Sequence, residues 1–363
     1  MDAIEKMKKS IVKYKNLERS STLSTVSPRF SAFCKKPSAF NFSPKTLRFQ
    51  LSAFSFPLIV FCFLLSTFSF QLVAQQDPNF NQYFFNPLTV NPAYAGSRGT
   101  LSAVALHRSQ WVGFDGAPTT QAFSIHSPTK NKKMGIGLQL MNDNIGPKNT
   151  VSISGVYAYK IRLARGQLGF GLRASLYNYS FNWDEIEYKD ESAFSANQRG
   201  RETYLLPSFD FGLYYSDDKN YVGLELTHLN QGRIGVQGDN VNIESTVEQS
   251  AQAIFTAGRA FKLSRMVTLK PSVLLKAGGN QPAFIDLNAS VLLKERLWLG
   301  VSYRYQSSIA AIIEYNINKE LRIGYSYDIA TTIIGNQNGG SHEIFIGYDL
   351  NLFKAQIVSP RYF

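Results

Sequence analysis

A strict alternation of apolar and polar residues runs through most of this 363-residue chain, from about residue 99 to residue 353. It is clear in residues 168–177 (LGFGLRASLY), 285–293 (IDLNASVLL) and 297–305 (LWLGVSYRY). Successive side chains of a β-strand point to opposite faces of a sheet, whereas a helix repeats every 3.6 residues. Because no long helical period interrupts the alternation, the chain is predicted to be all-β.

The alternating runs predict fourteen strands. They lie near 99–110, 116–126, 133–142, 149–162, 166–181, 201–216, 220–230, 249–262, 265–277, 281–294, 296–306, 308–318, 319–331 and 339–353. An even number of strands is what a closed antiparallel barrel with both chain ends on one side requires. The three longest connections, 182–200, 231–248 and 332–338, all fall at the same end of such a barrel. Outer-membrane barrels have this asymmetry of long external loops and short periplasmic turns.

Two folds satisfy a period of two: a soluble sandwich or barrel with a dry core, and a membrane barrel with its apolar face outward. Many runs reach 11–16 residues, which exceeds the usual strand length of about 5–6 and is enough to cross lipid when tilted. Aromatic residues gather towards strand ends, as interfacial girdles do, at Tyr157, Tyr159, Tyr177, Tyr179, Tyr214, Tyr215, Tyr303 and Tyr305. The prediction is a transmembrane antiparallel β-barrel of about 14 strands; a soluble exported β-protein, such as an adhesin, is the alternative.

The first 74 residues read as an export leader. Residues 1–50 hold eleven Lys and Arg against three acids, and residues 51–76 carry no charge and a long apolar run. This pattern predicts a signal peptide cleaved near Ala74, with an uncleaved signal-anchor helix as the alternative. The leader holds +8 of the total charge of +12, so basicity does not indicate a nucleic-acid partner. Both cysteines, Cys34 and Cys62, also lie in it, so the exported part is predicted to lack thiol chemistry and disulfides.

The remaining chain divides into three parts. Residues 75–98 are rich in Pro, Asn and aromatic residues, and Pro78, Pro87 and Pro92 exclude a regular strand or helix. We interpret them as an ordered, irregular entry or plug segment packed against another part of the protein. The barrel follows over 99–353, and a C-terminal tail over 354–363.

The polar face of the predicted strands carries six basic and seven acidic residues: Lys160, Arg173, Lys270, Lys276, Arg304 and Arg322 against Asp210, Glu225, Asp286, Glu314, Asp328, Glu343 and Asp349. A selective pore often carries rings of one sign. Balanced signs instead indicate pairing across a filled lumen, which predicts a barrel that conducts poorly.

The sequence contains no pattern that indicates an active site. It has four histidines and no HExxH, GxSxG or Walker A motif. Residues 169–174 (GFGLRA) fit a dinucleotide fingerprint formally, but they lie within an alternating strand. The chain is therefore predicted to be no enzyme and to use no cofactor and no metal.

Several long motifs resemble one family. They are QQDPNFNQYFFNPLTVNPAYAGS (75–97), HRSQWVGFDGAPTT (107–120), GIGLQLMNDNIG (135–146) and the terminal SPRYF. The chain is similar over residues 76–363 to the PorP/SprF family of type IX secretion and gliding-motility membrane proteins of Bacteroidota.

The resemblance implies a non-enzymatic outer-membrane barrel that assists secretion or surface anchoring of large type B C-terminal-domain proteins, such as adhesins. Implied partners are that secreted protein, type IX components including periplasmic peptidoglycan-linked ones, and outer-membrane lipid. A porin or transporter for small solutes remains the alternative.

The resemblance also implies where contact residues lie. Five residues would lie at the periplasmic side or in the lumen: Asn86, Pro87, Asn91, Pro92 and Tyr94. Trp111 would lie in the first external hairpin, with residues 116–120. In the largest external loop, Trp183 and Tyr188 are candidate anchors for a partner. For the plug residues and Trp111, plug packing and turn formation are the alternative roles.

Overall fold

The computed structural model describes residues 77–185, 200–236, 245–278, 283–332, 335 and 338–352. The predicted signal peptide and C-terminal tail lie outside these residues. Among the described residues, no helix has the length and apolar composition needed to span a bilayer.

The described chain is built almost entirely from strands. Their bounds are β1 (Leu101–Ser109), β2 (Thr119–Pro128), β3 (Met134–Ile145), β4 (Lys148–Leu163), β5 (Gly166–Asn182), β6 (Arg201–Ser216), β7 (Asn220–Thr227), β8 (Arg233–Val236), β9 (Ser245–Glu248), β10 (Gln252–Arg259), β11 (Phe261–Lys262), β12 (Val267–Ala277), β13 (Phe284–Leu293), β14 (Leu297–Arg304), β15 (Ser308–Asn316), β16 (Leu321–Ala330) and β17 (Ser341–Leu350).

One closed antiparallel barrel contains all of these strands except β8 and β9, and it has fourteen strands when β10 and β11 are counted as one. Neighbours in sequence pair with each other, β1 pairs with β17, and β10 pairs with both β7 and β12. The short β11 continues β10 along the same partner, while β8 and β9 form a separate hairpin. The predicted fold class and strand number are confirmed.

The two ends of the barrel differ. At one end, which we call the turn end, six connections of two to five residues join the strands, from 129–133 to 317–320. At the other end, which we call the loop end, the longest connections are residues 183–200 and 228–251. One connection is shorter than predicted. Because β3 ends at Ile145 and β4 begins at Lys148, the predicted loop 143–148 is a two-residue turn of Gly146 and Pro147, with Gly146 at φ +51. The polar residues there stay in the ladder because Asp143 accepts a hydrogen bond from the Thr120 hydroxyl (2.6 Å).

The apolar face of the barrel points outward. Leu172, Val301 and Ile346 are 58%, 57% and 53% exposed, whereas the polar residues that alternate with such apolar residues along the strands are mostly buried. Such a surface suits lipid rather than water, since water-exposed apolar patches of this extent are rare in monomeric proteins.

The prediction of aromatic girdles is corrected for three residues. Tyr157, Tyr159, Tyr303 and Tyr305 are exposed on the outer surface, as expected of a girdle. Tyr177, Tyr179 and Tyr214, however, are buried in the lumen. The physical reason is parity along the strand, since Tyr177 shares the inner face with Arg173 and Ser175.

The tightly packed core lies inside the barrel. One cluster joins Phe84 and Phe85 to the inner wall residues Val104, Trp298 and Phe345. A second joins residues 88 and 93–95 to inner residues of β4 and β6. Phe345 occupies an inward position of β17, where its ring packs against Phe85 at a centroid distance of 5.9 Å.

Candidate functional site

Residues 77–98 form a plug that runs through the lumen. Asp77 lies at the loop end, where its Oδ2 is 3.0 Å from Nε2 of His228, the first residue after β7. Arg98 lies at the turn end, 3.0 Å from Asp349 of β17, and β1 begins at Leu101. The chain therefore passes through the barrel from loop end to turn end before it enters the wall.

Two short 3₁₀ turns, Pro87–Thr89 and Pro92–Tyr94, give the plug its shape. Proline suits the first position of a helical turn, because its φ is already fixed and its missing N–H needs no partner there. Asn91 caps the second turn, since its Oδ1 accepts the N–H of Ala93 at 2.9 Å. Its Nδ2 donates to the carbonyl of Leu213 in β6 at 2.8 Å, so one side chain closes the turn and ties it to the wall.

Asn86 and Tyr94 also contact the wall. Asn86 Nδ2 donates to the Ser124 hydroxyl at 2.9 Å. The Tyr94 ring meets His126 and Tyr214 edge-on at centroid distances of 5.5 and 5.4 Å. All five plug residues singled out from the sequence, including Pro87 and Pro92, are buried in the lumen.

A carboxylate of the wall holds the first part of the plug. Glu343 accepts the backbone N–H groups of Asn81 and Gln82, one on each oxygen, at 2.9 Å. The same carboxylate pairs with Arg108 at 3.1 Å, and Arg108 also pairs with Asp328 at 2.8 Å. These groups are nearly inaccessible to solvent, so each hydrogen bond replaces one that water would otherwise make.

A second cluster lies near the middle of the plug. Arg173 of β5 pairs with Asp210 at 2.6 Å and with Glu225. Its Nη1 is 3.2 Å from Oε1 of Gln139, whose Nε2 donates to the carbonyl of Leu88 at 3.0 Å. The wall network therefore ends on the backbone of the plug.

Other arginines of the wall bind plug carbonyls directly. Arg322 donates to the carbonyl of Phe85 at 3.0 Å. Arg304 donates to that of Phe80 at 3.4 Å and pairs with Asp286 at 3.0 Å. The turns of the plug satisfy part of its backbone, and its other buried N–H and carbonyl groups need partners elsewhere. The charges on the polar face of the strands supply them.

Glycines let the plug approach the wall closely. A Cβ at Gly171 would lie 2.1 Å from the backbone nitrogen of Ala93, and one at Gly135 would lie 2.0 Å from the carbonyl oxygen of Ala95. Such distances are far below van der Waals contact. The glycines of the formal dinucleotide fingerprint therefore serve close packing inside a strand, where Gly169 similarly faces Ala93 at 2.8 Å.

The loop-end contact of the plug is an ion pair. Burial alone would raise the pKa of Asp77, but the neighbouring His228 lowers it overall. Burial alone would lower the pKa of His228, but Asp77 raises it overall. Ser208 Oγ lies 2.8 Å from His228 Nδ1, which places Ser, His and Asp in a row. Ser208 and His228 are 0% and 2% exposed, and the row ties the first residue of the plug to the wall.

The candidate residues of the external loops lie at the loop end. Trp111 has φ +46, and its backbone N–H donates to the Ser341 hydroxyl at 3.3 Å. The Trp183 ring stacks on Phe181 at 5.8 Å, and its Nε1 donates to Glu202 at 3.0 Å. Tyr188 lies outside the described residues. Their contact with a partner stays a prediction.

Two groups of residues that hold the plug were not singled out from the sequence. Asn81 and Gln82 look like ordinary polar residues of an irregular segment, and Arg108 ends a strand whose inner face is otherwise partly apolar. The alternation in β1 could have identified Arg108, because it places Arg108 on the same face as Val104 and Leu106, which are both buried against the plug. Within the described residues, no group of three or more His, Cys, Asp or Glu side chains is placed to hold a metal ion.

Comparison with solved structures finds barrels of low overall similarity. The KdgM porin is 10% identical with a TM-score of 0.34, over 68% of this chain and 98% of the porin. The CymD monoaromatic hydrocarbon channel is 10% identical with a TM-score of 0.42, over 77% and 96%. A FadL homologue from Pseudomonas aeruginosa is 11% identical with a TM-score of 0.40, over 76% and 95%. No curated protein sequence matches this chain.

A family model gives the identification. The model for the type IX secretion system membrane protein PorP/SprF matches residues 72–348, which include the plug and nearly the whole barrel. A closed barrel with an apolar outer face and short turns at one end is an outer-membrane protein, with its turn end in the periplasm and its loop end at the cell surface. The chain belongs to the PorP/SprF family of type IX secretion system membrane proteins.

Proposed function

We propose that this protein assists secretion or surface anchoring of a large type B C-terminal-domain protein, such as an adhesin, by binding it at the loop end. The observation that carries the proposal is the plug, because a lumen filled by residues 77–98 leaves the outer rim as the surface offered to a partner. The barrel then acts as a membrane-held platform beside the type IX machinery, not as an enzyme.

The loop end carries features suited to such binding. In the β1–β2 connection, Val112 and Phe114 are 43% and 49% exposed next to Trp111. Across the rim, Trp183 and Phe181 form a stacked pair. Binding energy at protein interfaces concentrates on aromatic anchors of this kind, surrounded by polar residues.

The test is replacement of residues 186–199 by a short Gly-Ser linker in the living cell. We expect the barrel to assemble, which heat-modifiable migration on a gel reports, and the large secreted protein to be lost from the surface, which antibody labelling of intact cells reports. The matched control replaces residues 279–282, in the loop-end connection between β12 and β13, in the same way. Normal surface display in both variants would contradict binding through this loop.

We propose further that type IX components, including periplasmic ones linked to peptidoglycan, contact the turn end. Purification of the full-length protein in mild detergent, followed by mass spectrometry, identifies both classes of partner. Recovery of neither a large secreted protein nor a type IX component would overturn the proposed function.

A further inference from the structure

The turn end carries a dense collar of exposed basic residues. The first three turns and the strand ends beside them contribute Lys130, Lys132, Lys133, Arg162, Arg165 and Lys219. The last three contribute Arg259, Lys262, Arg265, Lys294, Arg296 and Lys319. We call these twelve residues the basic collar.

Few acids offset the collar. The same turns hold only Asp217, Asp218, Glu295 and Glu320, which leaves an excess of eight positive charges. The opposite end differs, since the described loop-end connections and the strand ends beside them hold Asp115, Asp184, Glu185, Glu202 and Glu248 against Lys148, Arg201 and Arg233. Among the described residues, the excess of positive charge therefore lies at the periplasmic end of the barrel.

The collar lies just beyond an aromatic girdle. Tyr159 of β4 is 43% exposed on the outer surface, and Arg162 follows it by three residues. In the neighbouring turn, the Tyr215 hydroxyl donates to the carbonyl of Arg165 at 3.4 Å. Outward aromatic rings at strand ends mark the boundary between hydrocarbon and headgroups. The basic residues thus lie at the depth of the lipid phosphates.

Apolar residues interrupt the collar and reach towards the membrane. Around the turn between β11 and β12, Phe261, Leu263 and Met266 are 42%, 63% and 61% exposed. The Arg259 guanidinium lies over the Phe261 ring at 5.1 Å, so this cation is held against the outer wall. Exposed apolar side chains among basic ones, next to an aromatic girdle, fit the boundary between hydrocarbon and headgroups.

We propose that the basic collar binds the phosphate groups of anionic phospholipids in the periplasmic leaflet of the outer membrane. Basic side chains at a membrane surface attract anionic headgroups, while their aliphatic stems lie along the apolar wall. The collar anchors the periplasmic end of the barrel in the leaflet and gathers anionic lipid around it.

The test uses the complete barrel in nanodiscs of phosphatidylcholine with one quarter phosphatidylglycerol. Lipids retained after a mild detergent wash are counted by mass spectrometry. We expect retained phosphatidylglycerol to exceed its bulk share. Arg162→Gln with Arg165→Gln is expected to weaken phosphatidylglycerol binding at the turn between β4 and β5 by about five-fold for each arginine, which lowers the number of molecules retained. The matched control, Arg201→Gln with Arg233→Gln, removes two exposed arginines near the loop end and keeps the enrichment.

Heat-modifiable migration verifies that both double variants are folded before lipids are counted. The proposal fails if the wild-type barrel retains the two lipids in their bulk ratio, or if the control variant loses as much phosphatidylglycerol as the collar variant. It also fails if, without any lipid enrichment, an acidic periplasmic protein co-purifies with the wild type and is lost from the collar variant, because the collar would then be a protein-docking surface.

Discussion

Single residues of the wall hold the plug through its backbone, and Glu343 is the clearest of them. Its two oxygens accept two adjacent plug N–H groups, and it shares Arg108 with Asp328. Removal of one partner from a buried network leaves the other groups without compensation, which costs more than the bonds themselves.

Glu343→Gln is therefore expected to lower the free energy of unfolding by about 3 kcal/mol or more. The amide keeps the shape of the side chain but loses the charge that faces Arg108, and its NH₂ group opposes one plug N–H. Urea unfolding in detergent, followed by tryptophan fluorescence, measures the change. Glu320→Gln, at an exposed turn-end position, is the control and is expected to be neutral. Equal midpoints for the two variants would refute this role of Glu343.

The Asp77–His228 pair predicts a dependence on pH. The pKa of His228 is raised above 6.5, so its contribution is complete below that value and is lost as pH rises through the folded pKa. The pKa of Asp77 is lowered below 3.8, so its contribution is complete above that value and is lost as pH falls through the folded pKa. The pair therefore stabilises the plug most between these two values.

The measurement compares unfolding midpoints of the wild type and His228→Gln across pH. We expect the difference in midpoint to be largest at about pH 5–6 and to shrink at alkaline pH. A difference that stays constant from pH 5 to pH 9 would show that the charge of His228 does not contribute.

At the scale of elements, strands β3, β5 and β6 have inner faces that fit the plug rather than one another. Glycine stands where the plug touches them: plug backbone lies against Gly135 and Gly171, and plug side chains lie against Gly212. Gly155 of β4, by contrast, would place a Cβ in open space. The two kinds of glycine provide a matched pair of substitutions.

Gly171→Ala is expected to displace the second turn of the plug and to destabilise the protein by about 1–3 kcal/mol. Its new methyl group would overlap Ala93, as described above. Gly155→Ala is expected to leave stability unchanged. Thermal unfolding in detergent distinguishes the two, and equal loss in both variants would mean that the contact with Ala93 does not matter.

Strands were predictable from the sequence because their alternation is long and regular, and all fourteen barrel positions were recognised. The predictions failed where tertiary contacts change the meaning of a residue. The polar residues Asp143 and Asn144 suggested a loop but continue β3, since the Thr120 hydroxyl donates a hydrogen bond to Asp143. Tyr177, Tyr179 and Tyr214 suggested a lipid girdle, yet the lumen offers them aromatic and polar partners.

The path of the plug could not be predicted in the same way. Its prolines indicated an irregular segment, and balanced charges on the strands indicated a filled lumen. Its direction, from loop end to turn end, depends on long-range pairs such as Asp77 with His228 and Asn81 with Glu343. Residues far apart in sequence make these pairs, and no local pattern indicates which ones meet.

For the whole molecule, the plug decides whether the barrel conducts. The wild-type protein is expected to show no steady current in a planar bilayer, because residues 77–98 fill the lumen. Deletion of 77–98 is expected to produce ion-conducting pores, provided that heat-modifiable migration shows a folded barrel. High conductance by the wild type would contradict the closed lumen and favour the porin alternative.

The salt bridge between Arg108 and Glu343 joins β1 to β17, the first and last strands of the barrel. Pairing of these two strands closes the sheet into a cylinder. Glu343 uses the rest of its hydrogen-bonding capacity on Asn81 and Gln82. A cylinder that closed without the plug would leave this carboxylate with Arg108 alone of its three partners, and water would have to replace the other two. Closure of the cylinder and seating of the plug therefore stabilise each other through one side chain.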